Sequence, residues 1–114
     1  MGAAMIKRLT ICETCAVSGA YAQGAALADA MRGLTEDGWE LQMHACLSVC
    51  AEPVAVAVQA QGKATYVFAG VTSADAADLA VFTRLYDAAP DGWIDDARPA
   101  GRLRFCLKSR VPAL

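Results

Sequence analysis

Two short cysteine pairs, Cys12-x-x-Cys15 and Cys46-x-x-x-Cys50, each directly follow an apolar, strand-like segment. Lys7 to Ile11 precedes the first and Trp39 to Ala45 the second, with a helical pattern between them. Two strands joined through a helix are most simply parallel, because a crossover needs a dozen or more residues and a hairpin does not. Both pairs are then expected at the same C-terminal edge of one sheet, where open α/β sheets usually hold their ligands. A spacing of two or three residues lets two sulfurs of one loop reach the same centre. The four thiols therefore read as candidate ligands of one ion or cluster.

The rest of the composition narrows the setting. At 114 residues the chain has the size of one domain that buries a core without staples. Its 56% apolar share leans on alanine, which points to closely packed helices rather than disorder. A formal charge of −2 argues against nucleic acid or an anionic membrane as partner. No run has the length of a spanning helix, and Met1 to Arg8 is too short and too charged for a secretory signal. Gly2 has Ile6 where a myristoylation signal wants Ser or Thr. The expected location is cytoplasmic, where paired cysteines are more often metal-binding or catalytic than structural disulfides.

Along the chain the pattern reads β, α, β, β, β, α and a tail. The first helix is expected over about Ala20 to Leu34, with Leu27, Ala30, Met31 and Leu34 on one buried stripe, ended by Gly33 and the turn Thr35 to Gly38. The second strand alternates: Trp39, Leu41, Met43 and Ala45 face one side, and Glu40, Gln42 and His44 the other. Val54 to Val58 is a continuous apolar run of the kind found mid-sheet, and Gln61-Gly62 turns it into a hairpin with Thr65 to Phe68. Thr72 with Asp75 reads as a capping box for a second helix that runs to about Tyr86 and buries Leu79, Phe82 and Tyr86. Beyond Pro90, Trp93 is a candidate to close the core, and Leu103 to Lys108 reads as a last strand or an extended arm.

The string Cys46-Leu47-Ser48-Val49-Cys50, then Pro53-Val54, a valine strand, a glycine turn, Tyr66 and Thr72 opening a helix, resembles the thioredoxin-like 2Fe-2S ferredoxins. It is also similar to the iron-sulfur subunit of respiratory NADH dehydrogenase, over roughly Lys7 to Tyr86. With its Thr-Ile-Cys-x-x-Cys opening and Cys-Leu-Ser-Val-Cys centre, the chain is more similar still to a small bacterial family described as predicted metal-binding proteins. The resemblance implies a thioredoxin-like α/β fold, a central four-stranded mixed sheet flanked by helices with an irregular basic C-terminal tail. One domain would span residues 1–114, its core about 7–88 and its extension 89–114. It implies Cys12, Cys15, Cys46 and Cys50 as ligands of a 2Fe-2S cluster, and Pro53 at the position of the thioredoxin-fold proline. It also implies a redox partner protein and a homodimer.

One departure matters: two residues separate Cys12 and Cys15, where those ferredoxins place four or more between their first two ligands. Such a spacing serves iron-sulfur clusters elsewhere, and zinc takes Cys₄ sites of this kind readily. Three functions therefore stay open: an electron carrier, a zinc-binding structural or metal-handling module, and a thiol-disulfide oxidoreductase using Cys12 and Cys15. A stand-alone catalyst is not expected, since the chain has no Ser/His/Asp set, phosphate-cradling glycine loop or H-E-x-x-H helix. His44, the only histidine, reads as a polar-face strand residue, with replacement of a thiolate or tuning of the centre as its sharper roles. Ser48 and the backbone amides of Leu47, Val49 and Ala51 are candidate donors to cluster sulfur. Cys106, alternating with Arg104 and Lys108, is expected to be a half-exposed spare thiol. The tail cations Arg98, Arg102, Arg104, Lys108 and Arg110 follow the acidic Asp87, Asp91, Asp95 and Asp96. They read as a solvated face or as a docking surface for an acidic redox partner.

Overall fold

Strand β1 (Lys7–Cys12) and strand β2 (Trp39–His44) pair in parallel, Lys7 beside Trp39 and Cys12 beside His44, as the crossover spacing predicts. The structure, a computed structural model, describes residues 6–12, 26–33, 38–44 and 55–113. Strands β3 (Val56–Ala60), β4 (Thr65–Phe68) and β5 (Leu107–Val111) complete a mixed sheet of order β2-β1-β3-β4-β5. Every contact after the first is antiparallel. The sheet thus has five strands, one more than the four the sequence pattern implies, because the end of the tail adds itself to β4.

The valine run explains the centre of this sheet. Val56 and Val58 are fully buried on the face they share with Leu9 and Ile11, and β3 lies between two other strands on each side. Two helices cover that face, α1 (helical at residues 26–30) and α2 (Ala76–Ala88). They meet along a shallow groove lined by Ala30, Met31, Gly33, Ala76, Ala77 and Ala80. Leu27 and Met31 of the predicted stripe are buried, whereas Ala30 is exposed on the groove side and Leu34 lies outside the described residues. In β2, Trp39 is buried and Leu41 and Met43 are half-buried, while Glu40 and Gln42 face solvent, matching the alternation.

Helix α2 starts as the capping box predicts, with one tightened turn first. Ser73–Asp75 forms a 3-10 turn, with Thr72 as N-cap and the Asp75 carboxylate accepting from the Thr72 backbone N–H at 2.9 Å. Such reciprocal caps satisfy donors that the helix cannot pair internally. The helix buries Leu79, Phe82, Thr83 and Tyr86. Its far end is closed from outside: the Lys63 ammonium, from the β3-β4 turn, donates to the carbonyls of Tyr86 at 2.9 Å and Asp87 at 3.2 Å. A cation on the last carbonyls also answers the helix dipole.

Between α2 and the sheet sits an aromatic cluster. Tyr66 meets Phe82 edge-on at 5.0 Å and Tyr86 at 6.0 Å, Phe68 meets Phe82 at 5.0 Å, and Trp39 meets Tyr86 at 5.8 Å. Edge-to-face pairs of this kind add about 1 kcal/mol each beyond the area they bury. Both phenols are satisfied, Tyr86 donating to Ala64 O at 2.6 Å and Tyr66 to Gly92 O at 2.8 Å. Tyr66 also accepts from the Ile94 N–H, so one hydroxyl holds the Gly92–Ile94 turn on the core.

The tail departs most from its sequence reading. Residues Arg98–Cys106 form short 3-10 turns broken at Gly101, whose φ of 61° and ψ of −129° lie outside helical space. The strand begins only at Leu107. The alternating polar pattern of Leu103 to Lys108 therefore belongs to turns in its first half, and Cys106 points inward, 6% exposed, rather than half-exposed beside Arg104 and Lys108. Ala100, Leu103 and Cys106 join the main core, and Trp93 packs against its margin.

Candidate metal centre

Cys12 is the last residue of β1 and is 1% exposed. Its backbone N–H donates to Ala55 O at 2.9 Å, which carries the β1-β3 ladder one step past Val56. Across the parallel pair its neighbour is His44, the last residue of β2. The two strands thus end side by side, two residues before Cys46 in the chain. Cys15, Cys46 and Cys50 lie outside the described residues, as do Pro53, Ser48, Leu47, Val49 and Ala51. Among the described residues, no three His, Cys, Asp or Glu side chains gather as a metal ion would require. A buried thiol at the C-terminal end of a central strand fits a soft metal or an iron-sulfur cluster in donor type and in place.

The same sheet edge carries a polar network that the sequence pattern did not reveal. Arg102 donates to the buried Asp75 carboxylate at 2.6 Å, reaches the Gly70 carbonyl at 3.4 Å, and lies 3.5 Å from Cys106 Sγ. Its backbone N–H donates to Asp78 at 3.2 Å. The Cys106 sulfur and the Asp75 carboxylate hold the Arg102 guanidinium even more firmly charged than usual. No short-range signal announces the contacts of Arg102 with Asp75 and Asp78, because those partners sit 27 and 24 residues away. Cys106 is thus part of the arm's attachment, with β3 and β4 between it and Cys12.

Other tail cations are absorbed locally. Arg98 pairs with Asp96 through two hydrogen bonds of 2.9 Å, which hold the Asp96 carboxyl down at about 2. Arg110 lies over Trp93, 3.9 Å from the ring centre. The open depression around Ile6, Arg8, Gln59 and Thr65 sits at the opposite sheet edge from Cys12, where β1 begins. It holds no nucleophile and base within reach of each other.

A mixed sheet with a parallel β1-β2 pair, an antiparallel remainder and helices packed against it is the thioredoxin-like α/β architecture. The chain matches the thioredoxin-like [2Fe-2S] ferredoxin from Aquifex aeolicus with a TM-score of 0.62 over 94% of both chains, at 14% identity, a likeness of fold. By sequence the protein belongs to the family DUF1636, a protein family of unknown function, which it matches over residues 9–113. Comparison with curated proteins finds no match. No helix among the described residues is long and apolar enough to cross a membrane.

Proposed function

We propose that the protein is a small metal-binding redox protein in which Cys12, Cys15, Cys46 and Cys50 hold one 2Fe-2S cluster for one-electron transfer to or within a larger enzyme system. The observation that carries this reading is the parallel pairing that ends β1 at Cys12 directly beside the end of β2 at His44. The segments bearing the two cysteine pairs therefore start from adjacent points of one sheet edge. When bound, a cluster held by four thiolates has no open position and passes single electrons. The protein's own part is to supply the thiolates, Cys12 from the buried end of β1. The setting of this reading is the cytoplasm, with a redox partner protein and a second copy of the chain as associates. Zinc is the second reading, favoured by the two-residue spacing of Cys12 and Cys15.

The decisive measurement is the visible spectrum of protein purified without oxygen, before and after dithionite. Sulfur-to-iron bands that bleach are expected; a colourless protein containing zinc moves the assignment to the second reading. In the same assay, serine at any one of Cys12, Cys15, Cys46 or Cys50 is expected to lose or destabilise the centre. Cys106→Ser is expected to keep it, and a Cys106→Ser protein unable to hold metal overturns the ligand assignment.

A further inference from the structure

Charge is distributed very unevenly along this chain. Residues 97–114 carry Arg98, Arg102, Arg104, Lys108 and Arg110 and no acidic residue, while all 12 aspartates and glutamates precede them. The fold uses these cations differently. Arg98 is folded onto Asp96, Arg102 onto buried Asp75, and Arg110 onto Trp93. Arg104 instead stacks 4.6 Å over the ring of Phe105. That ring is 74% exposed, the most exposed large apolar side chain among the described residues. One exposed apolar residue needs no explanation in itself. Its place does.

Hydrogen bonds across the sheet define that place. The Cys12 N–H meets Ala55 O and the Ala69 N–H meets Cys106 O, each at 2.9 Å, and Val56 faces Phe68 between them. The end of β1, the starts of β3 and β5 and the end of β4 therefore lie along one edge. Phe105 directly precedes Cys106 of this row, at the β5 end of the edge, with β3 and β4 between it and the end of β1. Arginine is enriched among the residues that anchor protein interfaces, and an exposed ring beside it adds apolar area that a partner can cover.

We infer that Arg104 and Phe105, with exposed Lys108 beside them, form a docking patch for an electron-transfer partner protein that presents an acidic rim around an apolar pocket. The redox character of the partner rests on the function proposed above; its acidity and its pocket rest on the charge and exposure of the arm. The ring enters the pocket, and the cations steer the encounter and fix its orientation. A second copy of this chain fits less well, because an arm-to-body contact is head-to-tail and runs on into filaments unless it closes.

The probe is a fluorescein-labelled peptide of alternating Glu and Asp around one Trp, titrated with the full chain by anisotropy at low and physiological salt. A single-stranded DNA of equal length is the second probe. Arg104→Glu is expected to weaken peptide binding about tenfold, and Phe105→Ser about fivefold with the salt dependence kept. Arg84→Glu, an exposed cation on α2, is expected to leave it unchanged. Phe105→Ser removes an exposed ring, so it keeps the fold and remains informative if the charge reversal does not. Wild-type protein that ignores the peptide, equal losses in Arg84→Glu and Arg104→Glu, no loss in Phe105→Ser, or tighter binding of the DNA each overturn the patch. The readout does not depend on the cluster: a colourless protein that binds the peptide through Arg104 and Phe105 removes the electron-transfer reading alone. A bleaching chromophore without peptide binding removes the patch alone.

Discussion

Asp75 serves two masters, accepting from the Thr72 backbone N–H at the start of α2 and from the Arg102 guanidinium of the arm. Its carboxylate side chain is only 6% exposed, whereas that of Arg102 is 57% exposed. Removing the carboxylate therefore costs more than removing its cation. Asp75→Ala is expected to destabilise by about 2–3 kcal/mol in urea unfolding and Arg102→Ala by less, since the exposed guanidinium is screened by solvent and Asp75 keeps its hydrogen bond from Thr72. The Thr72-Asp75 half of this arrangement was legible, because a capping box lies within four residues. The Arg102 half was not, because no local pattern marks a pair 27 residues apart. Tyr86 gives a pH signature at the same scale. Burial, reinforced by neighbouring Tyr66, pushes its phenol up to about 12, above its ordinary 10.0. The folded state therefore holds this proton more tightly than the unfolded one. The associated stability is complete below about pH 10 and is lost as pH rises toward 12. Circular dichroism against pH is expected to show wild-type protein losing stability across that window, and Tyr86→Phe losing less of it.

Among the elements, the hairpin and the two helices follow from periodicity, while the joints between them follow from single backbone positions. Gly92 shows why. It adopts a φ of 74°, and a Cβ there would lie 2.8 Å from the Tyr86 ring, 2.9 Å from Lys63 Cβ and 3.0 Å from the Ala64 N. One of those neighbours is backbone, so the clash has little room to relax. Gly92→Ala is expected to destabilise by about 2–4 kcal/mol, combining left-handed strain with overpacking, with a matching fall in thermal midpoint. Gly101 plays the corresponding part in the arm, where its non-helical backbone lies against the Asp78 carboxylate. That break is what misleads a reading of Leu103 to Lys108. Alternation of apolar and polar residues fits a strand, yet Pro99 and Gly101 start turns whose buried residues, Ala100, Leu103 and Cys106, recur at the spacing of three that a 3-10 turn presents on one side.

For the molecule as a whole, the parallel crossover, the central valine strand and the place of Cys12 at the C-terminal edge of the sheet were all readable from spacing. The fifth strand was legible only as one of two readings of Leu103 to Lys108 and begins later, at Leu107, since β5 is exposed, charged and short, and nothing in its own sequence marks a pairing partner. Of the candidate centre, Cys12 is placed at that edge; a ligand set depends on side-chain convergence, which spacing cannot supply. The arm is integral to the packing, supplying Ala100, Leu103 and Cys106 to the core. A chain truncated after Ala97 is expected to lose cooperative thermal unfolding and to become sensitive to limited proteolysis, because Phe68 and Leu79 would then lose cover.

Among the described strands β2 has one neighbour, β1, and β1 has two. Strand β1 is thus the keystone of the sheet, and its pairing is complete only once residues 39 to 60 are in place. If β1 lifts away, β2 loses its one neighbour among the described strands at the same moment. Hydrogen exchange in β1 and in β2 is then expected to report one and the same opening, with a shared temperature dependence.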